Sequence, residues 1–211
     1  LDSDVHLYTR DWISRFMKAF DTFPEVGLLG VPWAKPYWYI PPTIPITKNG
    51  VSYLQLINTF LGIPFNFVQG HCQCLRPELI NKIGYWSEEC GAGDAELSIR
   101  VNKYTPFKAG FVKDIEIDMH QFLPCEECEG HEWCKLNKSN GTCFNIHISK
   151  HKNFEFVLRN FWKYFLFFKE IEVGMRSAYC ASIVDPESIK NHKYNHEWAQ
   201  ENFSFYANNS N

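Results

Sequence analysis

The chain has 211 residues, 45% of them apolar and 21% charged, a balance that suits one large folded domain and excludes a disordered chain. Its formal charge of −3, with no long basic stripe, excludes a general nucleic-acid binder. No apolar run reaches the roughly 18 residues of a membrane-spanning helix. Aromatic side chains make up 17% of the chain, enough for a rich core or for the lining of a binding cleft.

In chain order, the opening LDSDV places Asp2 and Asp4 one residue apart. TRDWISRFMKAFDTF follows, with Trp12, Ile13, Phe16, Met17 and Phe20 at helical spacing, Thr9 as a candidate N-cap and Pro24 as a stop. VGLLGVPW is a short apolar run that predicts a buried strand. AKPYWYIPPTIPITKNG, rich in proline and aromatics, predicts an irregular surface flap. VSYLQLINTFLG predicts a short helix and PFNFVQG a strand ending at Gly70. HCQCLRPELINKIGYW predicts a strand, a short helix with Pro77 in its first turn, and a turn at Gly84. GDAELSIRVNKY predicts an amphipathic helix, and FVKDIEIDMH a strand ending at His120. The alternation of strands and helices implies an α/β layer architecture.

Two acidic stretches carry the chemistry. In an extended loop, residues i and i+2 point the same way, so Asp2 and Asp4 can approach one hard cation; a solvated helix cap is the simpler reading of such a pair. Asp94 and Glu96 stand at the head of a helix, where an acid commonly complements the helix dipole.

Taken in order, LDSDV, VGLLG, VQGHCQCLRPELINKIGYW, GDAELSIR and DIEIDMH resemble the second half of a family 2 glycosyltransferase of the GT-A fold, over residues 1–120. The resemblance implies a Rossmann-like α/β fold whose nucleotide-binding first half precedes the segment where this chain begins. It implies that Asp2 and Asp4 form the D-x-D that holds Mn²⁺ or Mg²⁺ on the diphosphate of a nucleotide-sugar donor. It also implies that Asp94 is the catalytic base, taking the proton of an acceptor hydroxyl as that oxygen attacks the anomeric carbon with inversion. The family pattern at this point is Glu-Asp. Here Gly93 precedes Asp94, and an acid returns only at Glu96. His120 matches a strand-end histidine that joins the metal in several such enzymes, and His71, after Gly70, is a candidate for the donor-sugar pocket. Trp33, Trp38, Tyr39 and Trp86 are candidates for stacking on sugar rings or for the core. The acceptor implied is a glycan, lipid or protein.

The segment 121–150 holds Cys125-x2-Cys128, Cys134 and Cys143. Four thiolates with a C-x2-C start suit a structural Zn²⁺ that staples a loop-rich segment, with His131 or His147 as substitute ligands and two disulfides as the alternative. Cys72, Cys74, Cys90 and Cys180 are scattered and read as small buried residues. The sequons at Asn137, Asn140, Asn202 and Asn208 matter only in a secretory lumen. Within 151–211, FEFVLRNFWKYFLFFKE predicts an aromatic helix that packs on the domain or rests peripherally on a membrane, followed by a polar tail. A cytoplasmic or membrane-peripheral location is the corresponding expectation. Two other functions compete: a non-catalytic, zinc-stapled binding module, and a haloacid dehalogenase-type phosphatase with Asp2 as nucleophile and Asp4 as acid/base. The phosphatase expects a further acid four residues after Asp94, where Ser98 stands.

Overall fold

A computed structural model describes residues 1–2, 5–32, 41–57, 67–86, 93–119, 131–133 and 165–176. Seven strands and four helices are seen among them. The chain runs β1 (Val5–Leu7), α1 (Trp12–Thr22), β2 (Val26–Gly30), β3 (Thr43–Lys48), β4 (Val51–Leu56), β5 (Gln73–Leu75), α2 (Pro77–Ile83), α3 (Gly93–Tyr104), β6 (Lys108–Val112) and β7 (Ile117–Met119). A fourth helix, α4, covers 165–172, and His131–Trp133 form a 3₁₀ turn. No helix among the described residues is long and apolar enough to cross a membrane.

Five strands make one mixed sheet in the order β3-β4-β6-β2-β5, in which only β2 and β6 run parallel. β1 and β7 form a separate antiparallel pair, with Val5 opposite Met119. The architecture is therefore mixed α/β, with helices on both faces of the sheet. Phe16, Ala19 and Phe20 of α1 pack with Leu29, Tyr53 and Val112 on one face. Leu79 and Ile83 of α2, with Leu97 and Val101 of α3, pack with Leu28, Ala109 and Phe111 on the other. Successive strand residues point to opposite faces, which is why Leu28 and Leu29 belong to different cores. α4 adds an outer layer, its Phe167, Phe168 and Ile171 packing on Ala95 and Ile99 of α3.

Several local expectations are corrected. VSYLQL is a strand and not a helix, because Asn49 and Gly50, at φ 50° and 73°, close a two-residue hairpin with β3. The end of the supposed flap is therefore β3, while 33–40, with Trp33, Trp38 and Tyr39, lie outside the described residues. FVKDIEIDMH is two strands in different sheets, broken at Asp114, whose φ is 65°. Val68, Gln69 and Gly70 form no strand. On α1, Ile13 and Met17 are exposed while Phe16, Ala19 and Phe20 are buried. Thr9 does not cap that helix. Its hydroxyl accepts the Glu116 N–H at 2.8 Å and so ties the chain beyond β1 to the approach of β7.

α3 is buried on every side from Ala95 to Val101, between the sheet and α4, and is not amphipathic. Its polar residues must then find partners inside the protein. Glu96 and Arg100 do so as a buried ion pair, and Arg100 also donates to the carbonyls of Ile83 and Tyr85 at the end of α2. Arg76 does similar work on the other face. It donates to the carbonyls of Val26, Phe20 and Phe23, binding β2 to the end of α1, and its guanidinium lies over the Phe20 ring.

Candidate active site

Asp94 occupies the second position of α3, where backbone N–H groups lack intrahelical partners. Its Oδ1 accepts the Ala95 N–H at 2.8 Å and its Oδ2 the Gly70 N–H at 2.9 Å. Each oxygen keeps a lone pair for a further donor. Burial pushes the Asp94 carboxyl above the usual carboxylate range, against the lowering effect of these backbone bonds, and the nearby Asp2 charge raises it further.

Asp94 opens on a cleft of about 490 Å³ that Asp2, Gly70, Gln73 and Trp86 also line. Asp2 reaches it because its backbone N–H donates to the His71 carbonyl at 2.9 Å, which anchors the acidic opening segment to the loop before β5. Asp2 is exposed, and its carboxylate offers hard oxygens to the cleft.

A closed polar circuit builds the wall of this cleft. Ser98 donates its hydroxyl to the Asp94 carbonyl at 2.9 Å and accepts the Val68 N–H at 3.1 Å. The Val68 carbonyl accepts Nε2 of Gln73 at 2.7 Å, and Oε1 of Gln73 accepts the Trp86 indole N–H at 2.7 Å. Tyr85, the neighbour of Trp86, is held by Arg100, which returns the circuit to α3. Gln73 thus fixes the edge of Trp86, a role that one amide between two cysteines does not announce.

The predicted site residues separate clearly. Asp2, Asp94 and Trp86 share the cleft, and Gly70 contributes an N–H. Glu96 is 2% exposed and committed to Arg100, so it does not face the cleft as a base. His71 is also 2% exposed and is not among the lining residues; its backbone carbonyl, and not its imidazole, serves the site. Burial pushes the Cys72 thiol up to about 11 and raises that of Cys74, leaving these two thiols unsuited to nucleophilic work at neutral pH. Among the described residues no three His, Cys, Asp or Glu side chains gather to hold a metal. Asp4, His120, Cys125, Cys128, Cys134, Cys143 and His147 lie outside those residues.

No protein-family model, curated protein or solved structure matches the chain.

Proposed function

We propose that this chain carries the D-x-D and general-base region of a metal-dependent glycosyltransferase, with Asp94 as the base. The observation that supports this most is the pairing of Asp2 and Asp94 in one cleft of about 490 Å³, with the Asp94 carboxyl shifted towards greater basicity. An acceptor hydroxyl bound in the cleft would give its proton to a carboxylate oxygen of Asp94 as its own oxygen bonds to the anomeric carbon. The bond from that carbon to the donor phosphate breaks, and the nucleoside diphosphate leaves with the electron pair. Inversion is the stereochemistry this single displacement produces.

Asp2, exposed at the cleft and carrying hard oxygens, suits Mn²⁺ or Mg²⁺. Such a cation, when bound, offsets charge on the departing diphosphate. Asp4 and His120, which the resemblance also assigns to the metal, complete the proposed ligand set. Trp86 offers an aromatic face to a sugar ring. Zinc at Cys125, Cys128, Cys134 and Cys143, and a cytoplasmic or membrane-peripheral location, belong to the same reading.

Calorimetric titration of UDP, then GDP, with and without Mn²⁺, tests it on the chain and on an Asp2→Ala/Asp4→Ala variant. Metal-dependent binding that disappears in the variant supports the transferase site. Binding that ignores both the metal and the substitutions refutes it, and phosphate release from a generic ester would favour the phosphatase.

A further inference from the structure

A second cleft, of about 320 Å³, lies beyond the C-terminal end of β6 and shares no lining residue with the Asp94 cleft. One face of α1 supplies Ser14, Arg15 and Lys18, the tip of the β3–β4 hairpin supplies Ser52, and the chain after β6 supplies Lys113 and Asp114. These residues are spread over more than 100 positions of sequence, and the fold alone brings them together.

Arg15 is held in place from two sides. Its Nε donates to Oδ1 of Asp11 at 3.0 Å, and its Nη1 donates to the Asp114 carbonyl at 2.6 Å. Both bonds fix the plane of the guanidinium and leave it further N–H donors. The ammonium groups of Lys18 and Lys113 have no ion-pair or hydrogen-bond partner among the described residues. Three cations therefore line one concavity, with Asp11 spent on Arg15 and only Asp114 opposing the others. Like charges gathered in a concave site create a positive potential that attracts an anion.

The geometry points to a phosphate-binding site in this second cleft, formed by Arg15, Lys18 and Lys113. A phosphate group has three terminal oxygens and up to two negative charges. It therefore matches a guanidinium fork and two ammonium groups in charge and in the spread of its oxygens better than a singly charged carboxylate does. The Ser14 and Ser52 hydroxyls add donors within the same lining. The volume lies at the small end of small-molecule sites, about 300–1,000 Å³, and so fits a phosphate group with a modest attachment. Its place agrees with the rule that α/β sheets bind ligands beyond the carboxyl ends of their parallel strands, since β6 is one of the parallel pair. A soluble ion or ester and a lipid headgroup present the same phosphate chemistry, and the same side chains would recognise either.

Inorganic phosphate titrated into the chain, followed by calorimetry, is the direct test. Saturable binding is expected, about tenfold weaker in a Lys18→Gln/Lys113→Gln variant. Asp114→Asn should tighten it, since asparagine tolerates the positive φ and the opposing charge is gone. Asp2→Ala should leave it unchanged, which keeps this site's failure distinct from that of the glycosyltransferase reading. Sedimentation with phosphatidylcholine vesicles, with and without phosphatidic acid, separates the sources. Binding to phosphatidic acid that the double variant loses assigns the headgroup, and its absence alongside inorganic phosphate binding assigns a soluble ligand. Both lysines are exposed, so unchanged thermal unfolding of the variant is expected and checks its fold. No saturable binding of either probe, or binding indifferent to the lysine substitutions (an adventitious ion only), overturns the site.

Discussion

The backbone N–H of Gly70 meets Oδ2 of Asp94 at 2.9 Å, across 24 residues of sequence. This bond ties the loop before β5 to the head of α3, and it orients the Asp94 carboxylate, which opens on the cleft with Asp2. A carboxylate so held is pre-set in direction, and burial keeps it more basic than an ordinary aspartate. Orientation and basicity are the two properties a general base requires.

Asp94→Asn removes the proposed base with a side chain of nearly the same shape. Under the proposed function, sugar transfer should fall by about 10²–10⁴-fold. Calorimetric binding of nucleoside diphosphate with Mn²⁺ should stay close to that of the parent chain. Equal loss of both would remove Asp94 from its role. The same substitution carries a stability signature. Because the folded-state pKa of Asp94 is raised, its contribution to stability is fully present below the unfolded pKa and is lost as pH rises through the folded value. Asparagine has one acceptor oxygen, so the variant keeps only one of the Ala95 and Gly70 N–H bonds at any pH. The unfolding temperature of the variant relative to the parent should therefore rise from acid to neutral pH, and a difference that does not change with pH would argue against that shift.

Glu96 gives the complementary case. Its carboxylate serves Arg100, which is 0% exposed and spans α3 and the end of α2. Glu96→Gln leaves a buried guanidinium without its counter-charge, which costs about 3–5 kcal/mol by analogy with other buried pairs. Urea unfolding should show that loss. Activity per folded molecule, measured at low temperature, should change far less than in Asp94→Asn. If the two variants lost activity alike while both remained folded, the assignment of the base to Asp94 would fail.

What the sequence discloses here follows from how local each signal is. β2 was legible in VGLLG because a strand buried on both faces needs an unbroken apolar run, and all five residues are buried. α2 was legible because Pro77 stands at its start and Gly84, at φ 74°, at its end. β4 was not, since Tyr53 and Leu56 are buried at a spacing of three, which a helix would also give. The decisive sign was the Asn49–Gly50 pair ahead of it, a hairpin signal that the proline-rich segment concealed. Asp94 could be found from GDAELSIR, whereas Gln73 acquires its role only through Trp86, 13 residues away, and Val68. A role that depends on tertiary partners leaves no periodic trace.

Gly110 lies where β4 and β6 pair, opposite Gln55. A Cβ there would come within 2.2 Å of the Leu54 carbonyl oxygen and 3.0 Å of the Tyr53 ring. The nearer obstacle is backbone, which cannot swing aside as a side chain can. Gly110→Ala should therefore destabilise the chain by about 1–3 kcal/mol, with the strand pair pushed apart. Thermal unfolding checks this directly. Gly70→Ala is the control: its Cβ would meet Asp94 no closer than 3.5 Å, an ordinary contact, and should be far milder. Equal destabilisation by both would mean that the close approach at Gly110 is not what fixes the residue.

His71 makes the fold sensitive to acid. Burial is the main cause that lowers its pKa from 6.5 to about 4, while the Asp2 charge and the Val31 backbone pull the other way. With the folded value depressed, the sign is fixed. Above pH 6.5 the imidazole is neutral in both states, and the stability it allows is fully present. Between about 6.5 and 4 the unfolded chain takes up a proton that the folded chain refuses, so stability is lost as pH falls. A gap of that size corresponds to a loss of about 3 kcal/mol over the interval. Carboxylates titrate in part of the same window, so the useful quantity is the difference between the parent and His71→Gln. Urea unfolding at pH 7, 5.5 and 4.5 should show the parent falling more steeply than the variant, with the two curves converging in acid. The Asp2 N–H bond goes to the His71 backbone carbonyl, so it survives the substitution and the cleft keeps its anchor. Parallel pH curves would mean that His71 is protonated equally in both states, and that its burial does not govern the acid stability of the fold.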